Sequence, residues 1–222
     1  MGLNLLRLAR NFLGRWLDDR AGAEAPGGSL AIGRVPRVND CLTVAYLRDG
    51  TRGVANTLIS EADGRIFGDN TDGTGLVHDL VHNFGISIKN EHILVMGAGG
   101  AVRGVLGPLL KQHPAMVMLV NRTVNKARDL AGEFSSHGTV EACGFDELRG
   151  KHYDIVINGT AASLKGEVPP LPETLFARGA LAYDMMYGDK ARPFLDWALL
   201  HGAQRAVDGL GMLVEQAAES YL

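Results

Sequence analysis

Ile93-Leu94-Val95-Met96-Gly97-Ala98-Gly99-Gly100-Ala101-Val102-Arg103-Gly104 begins as an apolar run, breaks into glycines, and resumes as a helical pattern. A bulky apolar run of this length reads as a short strand buried on both faces, and Ala101 to Gln112 reads as a helix. Glycines between a strand and a helix have a physical task. The chain must turn sharply, and the backbone must approach a pyrophosphate with no Cβ in the way. The helix start then offers free amides and the positive end of its dipole to the phosphates. Gly97, Ala98, Gly99, Gly100 and Ala101 are therefore candidate dinucleotide-binding residues. The spacing departs from G-x-G-x-x-G, because the third glycine is adjacent and Val102 takes the final position. A strand-to-helix turn without a ligand is the alternative reading.

The segments that follow repeat the alternation. Met116 to Val120, Tyr153 to Asn158, Leu181 to Asp184 and Ala206 to Asp208 read as strands. Val124 to Phe134, Pro193 to His201 and Met212 to Tyr221 read as helices. Strands alternating with helices predict an α/β fold, a doubly wound parallel sheet covered on both faces. The second strand ends in Asn121-Arg122-Thr123, where NAD-binding sites carry an acidic residue for the ribose 2′-hydroxyl. Arg122 instead offers a planar, permanently charged fork, and Lys126 follows about one turn later. Cations oppose the dipole at a helix start, so a ligand phosphate is their better explanation. NADP(H) is thus the expected cofactor, held by Asn121, Arg122, Thr123 and Lys126.

Composition narrows the class. Glycine makes up 29 of 222 residues, about twice the usual share, with no Gly-X-Y period, so tight turns are expected and collagen is not. A net charge of −3 argues against a nucleic-acid surface. No apolar run reaches the roughly 18 residues of a membrane span. Cys41 and Cys143 make neither a disulfide framework nor a zinc site, which suits a reducing, cytoplasmic compartment. Met1 to Leu17 reads as an amphipathic helix packed on the core, with a transit peptide or membrane-surface helix as the alternative, and Ala21 to Gly33 as a linker or irregular loop. Cys41 to Leu47 holds a short candidate strand. Gly68-Asp69-Asn70-Thr71-Asp72-Gly73 precedes a helix near Gly75, so Asp72 reads as a cap or an acid/base group. His78 and His82 share a helical face, as an exposed or interhelical pair, and no third ligand suggests a metal.

Several motifs in one order carry a family resemblance. They are Ala55-Asn56-Thr57-Leu58, the Gly68–Gly73 stretch, Gly97 to Gly104, Asn121-Arg122-Thr123, Asn158-Gly159-Thr160, Tyr183-Asp184-Met185-Met186-Tyr187, and Asp208 to Ala217. From roughly Gly53 onward the chain resembles the shikimate dehydrogenase family. The resemblance implies an NADP-dependent oxidoreductase that reduces 3-dehydroshikimate to shikimate in aromatic amino-acid biosynthesis. It implies that Asn56 and Asp72 hold ring hydroxyls, with Asp72 half of a catalytic Lys–Asp pair. Gln216 would return to the substrate, Tyr187 would line the cleft, Gly211 and Met212 would lie near the nicotinamide, and Gly209 would also bind the cofactor. Implied with it are a residual substrate-binding part at 1–79, a Rossmann-like NADP domain at 80–209 and a returning helix at 210–222. A small-molecule substrate is expected as partner, with neither nucleic acid nor membrane, in a monomer or homodimer.

The sequence departs from the family upstream. No lysine precedes Lys89, and neither the family's N-V-T-x-P-x-K stretch nor its Ser-x-Ser pair occurs in residues 1 to 55. Gly53-Val54-Ala55-Asn56 replaces Gly-Ala-Val-Asn, and the substrate domain looks reduced. These departures predict an impaired enzyme, from a truncated or frame-shifted chain, or a non-catalytic NADP(H)-binding module. A quinate/shikimate dehydrogenase is the neighbouring alternative.

Overall fold

The computed structural model describes residues 43–44, 53–54, 56–60 and 66–220. The expected N-terminal helix, the linker, Cys41 and Tyr221 lie outside the described residues. Two short antiparallel pairs come first, β1 (Thr43–Val44) with β2 (Gly53–Val54) and β3 (Thr57–Ser60) with β4 (Ile66–Asp69). Helix α1 (Asp72–His78) follows and continues as a wider turn over Asp79–Asn83. The expected boundary at 79/80 therefore falls inside one continuous helix.

The rest alternates as expected: β5 (His92–Met96), α2 (Gly100–Leu110), β6 (Met116–Val120), α3 (Val124–Phe134), β7 (Val140–Cys143), β8 (Tyr153–Asn158), β9 (Phe176–Asp184), α4 (Arg192–Leu200), β10 (Arg205–Asp208) and α5 (Leu210–Glu219). Strands β5 to β10 form one parallel sheet in the order β10-β9-β8-β5-β6-β7. The order reverses between β5 and β8, so the crevice at their carboxyl ends is the switch point of a doubly wound sheet. Strand β7 is an addition to the expected set. It is an edge strand with an exposed Glu141 at its centre, so the apolar alternation that marks the others is weak.

Side chains of β5 alternate between two cores. Ile93 and Val95 join Leu76, Leu80, Val105, Leu109 and Leu130 beneath the helices on one face. Leu94 and Met96 join Phe194, Ala198 and Leu148 on the other, where α4 and shorter segments form the cover. Helix α1 lies between α2 and α5 at backbone contact. A Cβ at Gly73 would sit 2.6 Å from Gly104 O, and one at Gly75 would sit 2.7 Å from both Met212 O and Gln216 N. Among the described residues no helix is long and apolar enough to cross a membrane.

Candidate active site

The glycine turn sits at the switch point. Gly97 has φ +110, a conformation that side chains strongly resist, and its amide donates to Val120 O at 2.7 Å. Gly159, just past β8, donates to Met96 O at 2.9 Å and closes the floor beneath it. Gly99 is the N-cap of α2 with no side-chain cap, and a Cβ there would meet open space. Gly99, Gly100 and Ala101 are exposed and Ala98 is half-buried. The first-turn amides of α2 therefore face a free volume, the arrangement an anionic phosphate requires.

Val120 pairs with Met96, so Asn121 and Arg122 emerge beside the glycine turn. Asn121 Nδ2 donates to Thr123 O at 3.0 Å and shapes the entry into α3. Arg122, Thr123 and Lys126 are exposed, and among the described residues neither Arg122 nor Lys126 has an ion-pair partner. Arg103, by contrast, is committed to Glu133 of α3 through a two-pronged ion pair that raises its pKa.

A second cluster forms where β3, β4, α1 and α5 meet. Asn56 Nδ2 donates to Asp72 Oδ1 at 2.8 Å, and Asn56 Oδ1 accepts from Thr71 N at 3.1 Å. Thr71, 5% exposed, places its hydroxyl within 3.3 Å of Asn56 Oδ1, 3.2 Å of Gln216 Oε1 and 2.9 Å of Ser220 Oγ. Asn56, Asp72 and Gln216 are thus brought together around Thr71. Sequence reasoning singled out neither Thr71 nor Ser220. Thr71 lies in a quoted motif, whereas Ser220 carries no local signal. The capping alternative for Asp72 is corrected: Asn70 Oδ1 accepts the Asp72 amide at 3.0 Å, leaving the Asp72 carboxylate for Asn56. Burial pushes the Asp72 carboxyl above the usual aspartate range, and the Asn56 hydrogen bond partly opposes it.

The two regions touch. The Asn70 side chain fills the space beside Gly104, where a Cβ would lie 2.7 Å from Asn70 Nδ2. The polar cluster therefore rests on α2, the helix that opens at the glycine turn.

Tyr187 does not join the cluster by hydrogen bonding. It is half-exposed at the start of a short turn, Gly188–Lys190, and among the described residues its hydroxyl has no partner. Asp208 anchors that loop by accepting from Gly188 N at 2.9 Å. Gly209 is buried against the Met185 carbonyl, and Met212 is buried in the core below the cleft. His78 Nδ1 lies 3.7 Å from Glu215 Oε2 of α5, so the histidine pair is interhelical on one side.

A buried network supports the loops around the switch point. Ser163 Oγ and Asn158 Nδ2 donate to Asp184 Oδ2 at 2.7 and 3.1 Å, and Met186 N donates to Asp184 Oδ1 at 2.8 Å. Burial raises the Asp184 pKa, and these three donors oppose the shift. The quoted motifs hold Asn158 and Asp184, but nothing in them signals that Ser163 joins the pair.

The family model for shikimate / quinate 5-dehydrogenase matches residues 79–165. The chain is 57% identical over 169 residues to the shikimate dehydrogenase (NADP(+)) of Cellvibrio japonicus, covering 76% of this chain and 61% of that one. It therefore spans about three fifths of that protein's length. It is 49% identical over 211 residues to the shikimate dehydrogenase (NADP(+)) of Chromohalobacter salexigens, covering 92% of this chain and 77% of that one. A crystal structure of shikimate 5-dehydrogenase from Thermus thermophilus in complex with NADP(H) and shikimate superposes with a TM-score of 0.61 at 31% identity, over 76% of this chain and 60% of that one. With half of its residues identical across more than three quarters of a full relative, and with the same doubly wound sheet, the chain belongs to the shikimate dehydrogenase family.

Proposed function

We propose that this chain binds NADP(H) at the Gly97–Ala101 turn and carries out, or takes part in, reduction of 3-dehydroshikimate to shikimate. The observation that supports this reading is the seating of Asn70 on Gly104, which rests the segment bearing Asp72 on α2 about one turn past the glycine turn. The amides of α2 would take the pyrophosphate, and Arg122 with Lys126 the 2′-phosphate. Asn121 and Thr123 shape that end, while Gly209 and Met212 belong to the nicotinamide end. Asp72 and Asn56 would hold ring hydroxyls, with Gln216 closing the far side and Tyr187 lining the cleft. The bound dinucleotide supplies the hydride. The protein's task is to hold donor and ring in close approach and exclude water.

The raised pKa of Asp72 suits a carboxyl that exchanges a proton during turnover. Residues to 79 would then be the substrate-side part, 80–209 the NADP domain and 210–222 the returning helix. The partner is a small molecule, the subunit acts as monomer or homodimer, and the two-cysteine composition suits the cytoplasm.

A specific observation favours a second reading. Residues 1–88 contain no lysine, so the family's lysine beside Asp72 has no counterpart there. On this reading the chain holds NADP(H) without turning over substrate. Purified protein is mixed with NADP⁺ and shikimate or quinate, and the nicotinamide absorbance is followed. Turnover with shikimate supports the first reading. Calorimetric NADPH binding without turnover supports the second, and no binding of NADPH refutes both.

A further inference from the structure

The helix that starts at Asp72 changes pitch midway. Phe84 N donates to Asp79 O at 3.1 Å, a five-residue spacing that defines a π turn over Asp79–Asn83. Such turns are rare and concentrate at functional positions. This one carries a buried carboxylate. Asp79 is 1% exposed, and it accepts from Tyr183 Oη at 2.7 Å and from Asn83 Nδ2 at 2.8 Å. Its other neighbour is the backbone of α5, because a Cβ at Gly211 would overlap both carboxylate oxygens.

Tyr183 is fully buried near the end of β9. Its single proton goes to Asp79. Helix starts leave their first amides without intrahelical partners. In α5 the Leu210 amide goes to Asp208 Oδ1 at 3.2 Å, and the next residue, Gly211, sets its bare backbone against the Asp79 carboxylate. A phenol and a carboxylate are thereby joined and set against the first turn of α5. Burying a carboxylate is unfavourable, and an apolar side chain would fill the same space at less cost. The polar relay therefore needs a reason beyond packing.

Resting on the reading that places Met212 at the nicotinamide, we propose that Asp79 and Tyr183 are positioning residues for the nicotinamide half of the dinucleotide. They fix the first turn of α5 against β9 and so fix the height of Gly211 and Met212 in the crevice. The adenosine 2′-phosphate end is set by α2 and α3 and does not pass through this relay.

Two ligands separate the halves: NADPH, and 2′,5′-ADP, which lacks the nicotinamide. Both are titrated calorimetrically into wild type, Tyr183→Phe and Asp79→Asn. The expected result is a roughly tenfold rise in NADPH Kd in each variant, the worth of about one hydrogen bond. The Kd for 2′,5′-ADP stays within about twofold of wild type, which also shows that the variants fold. Unchanged NADPH affinity overturns the proposal. Equal weakening of both ligands overturns it as well, since the relay would then act on the whole fold. Wild type that binds NADPH no better than 2′,5′-ADP refutes the positioning role alone. Wild type that binds neither refutes the dinucleotide reading and the proposal with it.

Discussion

Replacing Gly75 by alanine tests the backbone seating of α1 on α5. In an unconstrained helix the change is favourable, since alanine exceeds glycine by about 1 kcal/mol in helix propensity. Here the added Cβ would lie 2.7 Å from Met212 O and Gln216 N and 2.8 Å from Gln216 Cβ. Ordinary contact begins near 3.5 Å, so α5 must retreat by about 0.8 Å. Two of the three obstructing atoms are backbone, so a rotamer change cannot relieve the clash. Overpacking of this kind costs about 1–3 kcal/mol, which outweighs the propensity gain. Gly132 in α3 is the control, because a Cβ there meets nothing within 4 Å. Thermal unfolding of both variants is the assay. Gly75→Ala is expected to lose several degrees, at about 2–4 °C per kcal/mol for a chain of this size, and Gly132→Ala to match or exceed wild type. Gly75→Ala unfolding at or above the wild-type temperature would refute the close-contact argument.

Arg122→Ala is expected to weaken NADPH binding by about 1.5–3 kcal/mol while NADH binding is unchanged; equal losses would remove the 2′-phosphate role. Asp72 has a raised native pKa, so its contribution to stability is fullest below the ordinary aspartate value of 3.8 and is lost as pH rises through the native value. Asp72→Asn keeps an acceptor for Asn56 and removes that loss, so its melting temperature relative to wild type should climb from pH 4 toward neutrality. A flat difference would contradict the shift. Thr71→Val preserves shape but strips the hydroxyl shared by Asn56, Gln216 and Ser220, and should lower the denaturant midpoint by an equivalent of about 1–2 kcal/mol.

The sheet was legible because its strands are buried on both faces and read as uninterrupted apolar runs, as in Met116–Val120. Edge strand β7 escaped because Glu141 faces solvent and the run is short. Asn56, Asp72 and Gln216 were found through ordered motifs rather than through their chemistry. Ser220 was invisible, since its partner Thr71 lies 149 residues away. Asp79 was not singled out, because nothing in its local sequence marks it as buried. Only the π turn, and the bare backbone of Gly211 against it, turn that carboxylate inward.

The glycines of α1 also bear on how the molecule opens. With Gly73 resting on Gly104 and Gly75 on the first turns of α5, no single helix of the three can lift without exposing the backbone seats of the others. Their amide protons should therefore exchange with solvent together, as one cooperative block with one opening free energy, rather than fraying separately.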